Sequence, residues 1–150
     1  MNPQLIQLIT SFLGSLGFAI IFNLQKKHLL VASTGGVLCW ASYLLTGTFL
    51  NGVFIPTLVA SAVAALYAEV FARIVKAPAT VIFVSVIIPL IPGSSLFYTM
   101  SNIVSGEIVL FKKYGIETIL FVLGITSGIS IVWSAWYMFQ KIYNIIFKTS

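Results

Sequence analysis

Five apolar stretches, each about the twenty residues that a helix needs to cross bilayer hydrocarbon, follow one another along the chain with almost nothing between them. They cover 4–23, 29–50, 53–75, 79–106 and 116–139. The connectors, 24–28, 51–52, 76–78 and 107–115, leave no room for a soluble domain, so the chain must act in the membrane or at its margins. Lipid cannot satisfy backbone N–H and C=O groups, which makes each stretch a helix bonded within itself. The expected fold is therefore an all-α polytopic membrane protein with about five transmembrane helices, a single transmembrane domain over 1–150. The N-terminal stretch lacks the basic lead of a cleaved signal and is expected to stay as a helix.

A net charge of +5 is compatible with a nucleic-acid partner, but with 7% charged residues and 59% hydrophobic ones the basic groups stand in ones and twos beside the spans. Positive-inside sorting accounts for them and excludes a nucleic-acid partner. With the N-terminus outside and five crossings, Lys26, Lys27, Arg73, Lys76, Lys141 and Lys148 fall on the cytoplasmic side, and Lys112 and Lys113 fall outside. If the fourth stretch turned back instead of crossing, the two C-terminal lysines would exchange sides with Lys112 and Lys113 and the bias would be unchanged. Charge leaves both topologies open; the length of the stretch favours crossing. A lone Cys39 excludes a disulfide or a thiolate cluster within one copy. One histidine and three scattered glutamates make no acid–base or metal constellation, so no enzyme, cofactor or metal is expected.

The fourth stretch is interrupted at its middle by Pro89, Pro92 and Gly93, followed at once by Ser94 and Ser95. Pro92 has no N–H, and Pro89 would clash with the preceding turn of a continuous helix, so 89–93 is expected to be non-helical, with a second half-helix starting near Ser94. The first amides of a half-helix lack intrahelical partners. A Ser94 or Ser95 hydroxyl can cap one, and the others present partial positive charge to an anionic carboxylate. Tyr98, Thr99 and Asn102 follow the serines at three- and four-residue spacings and extend one polar face suited to an amino or hydroxy acid. Broken helices of this kind hold solute in secondary transporters. The plainer alternative is a proline kink that only shapes packing.

Two other features have a structural and a functional reading. Ala60, Ala64, Ala68 and Ala72, and Gly124 with Gly128, form small-residue stripes that let helices approach closely in lipid. Gly14 with Gly17 and Gly35 with Gly36 can do the same, or leave room for a moving neighbour. Glu69 is the only acid inside an otherwise apolar span; it can carry a coupling proton, or it can form an interfacial ion pair with Arg73 one turn later. Glu107 and Glu117, with Lys112 and Lys113, read as a solvated face around the fourth connector, and His28 reads as a headgroup contact.

The segments GFAIIFN at 17–23 and IPLIPGSSLFYTM at 88–100 resemble the two signatures of the threonine/serine exporter family, in its small-subunit or C-terminal-half form. Pro89, Pro92 and Gly93 match the family's double-proline and glycine turn, and Asn23 closes its first signature. The resemblance implies proton-driven export of threonine, serine or small dicarboxylates such as succinate across the bacterial cytoplasmic membrane. It also implies a larger membrane subunit as partner. Size supports an assembly independently, because five helices can hardly both enclose a solute path and supply two moving halves; a homo-oligomer is the other expectation. The competing reading is a non-transporting membrane scaffold or assembly subunit, which would have little use for a broken, hydroxyl-lined helix.

Overall fold

A computed structural model describes residues 3–148, and they are all-α. The helices are α1 (Pro3–Ile21), α2 (Lys26–Phe49), α3 (Phe54–Val75), α4 (Ala79–Ile87), α5 (Gly93–Val104) and α6 (Ile108–Lys148), with a single 3-10 turn, Ile88–Leu90, after α4. Four helices are long and apolar enough to cross a membrane, and a fifth span results when α4 and α5 are taken together across their 55° bend.

The helices stop for local reasons. At the end of α1, Asn23 turns left-handed (φ 55°), its N–H bonds the Ile20 carbonyl at 2.9 Å, and the Leu24 N–H bonds the Ala19 carbonyl at 3.0 Å. This closure satisfies the last carbonyls, and asparagine tolerates the conformation it requires. Lys76 (φ 54°) ends α3 in the same conformation, with Ala77 bonded back to Ala72. Gly106 (φ 78°) does so after α5, with Glu107 bonded back to Asn102.

The first half of the broken span is the centre of the molecule. α4 lies against α1, α2 and α3, and Ile82, Phe83, Val86 and Ile87 join Cys39 and the alanine stripe Ala60, Ala64, Ala68 and Ala72 in one buried cluster. The stripes thus act as helix-packing faces. Gly124 and Gly128 of α6 press on α3 so closely that a Cβ at Gly124 would lie 2.9 Å from the Phe54 carbonyl, and Ser61 Oγ donates across to the Gly124 carbonyl at 3.2 Å. Gly35 and Gly36 are equally tight, against Tyr67 and Val86 of the core and Ser15 of α1, whereas Gly14 and Gly17 face open space.

Gly124 meets Phe54 and Thr57, Gly128 meets Leu58 and Ser61, and Trp136 meets Arg73, so α6 runs alongside α3 in the same direction. α4 starts where α3 ends, and α6 finishes at that same end. The direction of α4 is bent by 55° in α5, not reversed. The fourth segment therefore has the geometry of a broken crossing, with Lys26, Lys27, Arg73, Lys76 and Lys141 at one end of the bundle. The side chain of Lys148 lies outside the described residues.

Three expectations are corrected. The connector expected at 107–115 is mostly helix: α6 begins at Ile108 and carries Lys112 and Lys113 on its first turns. Only Gly106 stops a helix there, and its 41 residues make α6 about 60 Å long, twice the hydrocarbon thickness of roughly 30 Å. The break is also shorter than 89–93, because Pro89 sits at the start of the 3-10 turn, where a missing N–H costs nothing. Finally, His28 does not face headgroups; it lies in the first turn of α2 and is 5% exposed.

Candidate solute site at the broken helix

The non-helical part of the break is Ile91 and Pro92. Ile91 is extended (φ −64°, ψ 125°), as a residue before proline is driven to be, and Pro92 precedes the first turn of α5. Pro89 has no N–H to give the Ser85 carbonyl, so the α-helical ladder ends there. On one side of the break, Pro89 borders a cavity of about 160 Å³ with Gln7, Thr10, Ser11 and Trp40. The Trp40 Nε1–H donates to Gln7 Oε1 at 3.4 Å, and Trp40 stacks on Tyr43, which stacks on Phe121 of α6. Nothing in the sequence periodicity singles out Gln7 or Trp40; their nearness to Pro89 depends on how α1 and α2 flank the broken span.

On the other side, α5 rests on the N-terminal half of α6 and runs antiparallel to it. The start of α5 has no side-chain cap, which corrects the expectation that Ser94 or Ser95 would cap it. Ser94 is exposed, while Ser95 is buried and donates its hydroxyl to Glu117 Oε1 at 3.1 Å. Glu117 is half-buried and accepts from the first turn of a broken helix, so it is not part of a solvated face. That role was missed because the partners are 22 residues apart and meet only through the α5–α6 hairpin.

The rest of the expected polar face divides. Thr99 donates to the Ser95 carbonyl at 2.7 Å and stands 3.5 Å from the Thr118 hydroxyl; Tyr98 stacks on Tyr114 at 5.1 Å. Asn102 spends its amide on the Tyr98 carbonyl, one turn back. Ser95, Tyr98 and Thr99 are thus brought together with Glu117, Tyr114 and Thr118. Asn23 is not, since it closes α1 at the basic end of the bundle, beside His28, Lys76 and Pro78.

Glu69 and Arg73 part company as well. The Arg73 guanidinium lies over the Trp136 ring, 4.9 Å from its centroid, and faces the side-chain amide of Gln140. Among the described residues it makes no ion pair with Glu69. Two hydroxyls that the sequence does not single out, Ser15 and Ser85, are buried without a hydrogen-bond partner among the described residues. No group of three or more metal-ligating side chains occurs among the described residues.

A Cβ at Gly93 would meet nothing within 4 Å, so the first turn of α5 opens onto free space. Gly93→Ala should leave thermal stability unchanged or slightly raised, since it removes only chain entropy from the unfolded state. Gly93→Val should insert normally and yet lower export severalfold if solute approaches the α5 amides. Wild-type transport by that variant would remove solute from this position.

Taken together, the architecture defines a multi-pass helical membrane protein whose fourth span is discontinuous and polar on its inner side. A family model described as a threonine/serine exporter matches residues 7–135, from α1 through most of α6, and the chain belongs to that family of transporters. No curated protein and no solved structure matches the chain.

Proposed function

We propose that the chain is the small subunit of a secondary-active exporter in the bacterial cytoplasmic membrane, carrying threonine, serine or small dicarboxylates outward at the expense of the proton gradient. The observation that carries this reading is the Ser95–Glu117 hydrogen bond at the uncapped start of α5. The first-turn amides, at the positive end of the helix dipole, suit a solute carboxylate. Glu117 bears the same chemical group and takes the Ser95 hydroxyl in that first turn. A proton on Glu117 weakens its hold on Ser95, so the protonation state of Glu117 alters what the start of α5 offers a solute.

In this scheme Pro89, Pro92 and Gly93 shape the break, and Ser94, Ser95, Tyr98, Thr99 and Asn102 supply its polar surroundings. Glu69, one turn before Arg73 in α3, is the second candidate for carrying the proton. A partner is part of the proposal. Among the described residues α5 leans mainly on α6, so this chain by itself leaves the start of α5 open; a larger subunit of the same family, or a further copy of this chain, would complete the path.

The test is efflux of labelled threonine, serine and succinate from bacterial cells lacking their own exporters, with this chain expressed alone and beside a large subunit. Efflux that requires both chains is the expected result. Efflux by the chain alone would replace the partner with a homo-oligomer, and no efflux in either case would favour the scaffold role.

A further inference from the structure

At the basic end of the bundle, far from the break, the α1–α2 and α3–α4 connections border a second cavity of about 160 Å³. Its polar lining is Asn23, Gln25, His28 and Lys76, closed by Pro78 and Ile82. A neighbouring groove of about 420 Å³ shares Gln25, His28 and Lys76 and adds Lys27. His28 and Lys76 therefore stand where the two spaces meet.

Three observations there point the same way. His28, the only histidine in the chain, is 95% buried by its 5% exposure, and its Nδ1 has no hydrogen-bond partner. A buried polar nitrogen left without a partner calls for an explanation, and an unseen ligand is one. α2 and α4 both begin at this cavity, after Gln25 and Pro78, and neither start has a side-chain cap; the His28 and Val81 amides bond back to Gln25 and Pro78, which leaves those of Lys26, Lys27, Ala79 and Thr80 as the available donors. The ends of α1 and α3, whose dipoles would repel an anion, are closed on themselves through Asn23 and Lys76. Among the described residues no acidic side chain lines either space, while Lys27 and Lys76 do.

We infer that this vestibule binds one compact oxyanion, with His28 and Lys76 as side-chain ligands and the first amides of α2 and α4 as backbone donors. A cavity of about 160 Å³ has room for a carboxylate or phosphate head, and the adjoining groove has room for what that head is attached to. Two sources share that chemistry: the carboxylate of the solute before it enters the path, and the phosphate of an anionic lipid headgroup. Naming the solute rests on the exporter reading; the oxyanion site does not.

The single histidine provides a reporter that needs no assignment. Full-length chain carrying 15N-histidine, in nanodiscs of zwitterionic lipid, is titrated at fixed pH and ionic strength with threonine, succinate and inorganic phosphate, with chloride as the control. A second set of discs contains phosphatidylglycerol. A saturable imidazole shift with the free acids identifies solute, and a shift confined to phosphatidylglycerol discs identifies lipid; both support the site. Lys76→Asn, which removes the charge and tolerates φ 54°, should weaken the apparent affinity at least tenfold, and Lys141→Asn should not. An unmoved imidazole in every arm, a shift without saturation, or one unchanged in Lys76→Asn would overturn the proposal. Binding is read directly, so failed efflux would leave the site standing, and an unmoved imidazole with intact efflux would remove the site alone.

Discussion

Gly128→Val should force α3 away from α6 and cost the fold much of the stability of that contact. A Cβ at Gly128 collides with Ser61 Oγ and would sit 2.5 Å from the Leu58 carbonyl and 3.0 Å from the Ala62 amide. Two of those three neighbours are helix backbone and cannot rotate away. Forced overpacking costs about 1–3 kcal/mol where side chains can adjust, and the cost is higher where backbone must move. The close approach is also what gives α3 and α6 their dispersion contacts and the Ser61–Gly124 hydrogen bond, because lipid provides no hydrophobic drive to hold two helices together. Gly14→Val is the matched control, since a Cβ there meets nothing within 4 Å. On the scale of roughly 2–4 °C per kcal/mol for a chain of this size, Gly128→Val should lower the unfolding midpoint in detergent by about 5–10 °C, with Gly14→Val unchanged. Equal midpoints for the two variants would mean that α3 and α6 do not pack as described.

The glycine–alanine seam was legible because small residues at four-residue spacing have few other uses in a membrane helix. The spans were legible for a similar reason: length and hydropathy decide whether a segment can live in lipid, and no partner is needed to read them. Boundaries drifted only where chemistry was ambiguous. Lys26 and Lys27 read as connector, yet lysine is a good helix former and α2 begins with them. Lys112, Lys113 and Gly115 read as a connector too, but none of them stops a helix, and α6 runs through all three. The true stop, Gly106, was taken as the end of the preceding span, which it also is.

At the site, the sequence shows the break but not what faces it. Two prolines and a glycine interrupt a helix whatever surrounds them. Which way the second half points, and that it lies on α6 instead of within the α1–α4 bundle, are set by tertiary packing. α4 is apolar all round, so no periodic face shows which neighbours it has, and it proves to be the most enclosed element of the fold. Glu117 and His28 were both assigned to water or headgroups because they stand beside lysines. Each is instead turned inward, Glu117 by its hydrogen bond from Ser95 and His28 by the closure of two helix ends around it. A charged neighbour in sequence is weak evidence of exposure when the helix carrying both has an inner and an outer face.

Glu117→Gln should abolish the dependence of export on the proton gradient while leaving the protein folded. Glutamine keeps the shape of the side chain and can still accept from the Ser95 hydroxyl, so the α5–α6 hairpin persists. What is lost is the exchangeable proton and the charge that strengthens the bond. A hydrogen bond to a charged group contributes roughly 1.5–3 kcal/mol, which corresponds to about ten- to a hundred-fold in gradient-driven rate when only one proton state is bonded this way. Ser95→Ala should produce a smaller loss, because the carboxylate and its proton remain. Glu69→Gln is the necessary comparison. Arg73 is held by Trp136 and Gln140, so neutralising Glu69 should leave that contact in place, and any change in coupling can be assigned to the acid itself. The measurement is efflux from proteoliposomes containing the complete transporter, with and without an imposed pH gradient. If Glu117 carries the proton, its glutamine variant transports equally in both conditions, at the slow downhill rate, and Glu69→Gln retains acceleration by the gradient. The reverse pattern would move proton coupling to Glu69 and leave the Ser95–Glu117 pair as a brace for the broken helix. Full acceleration in both variants would remove both acids from the coupling step.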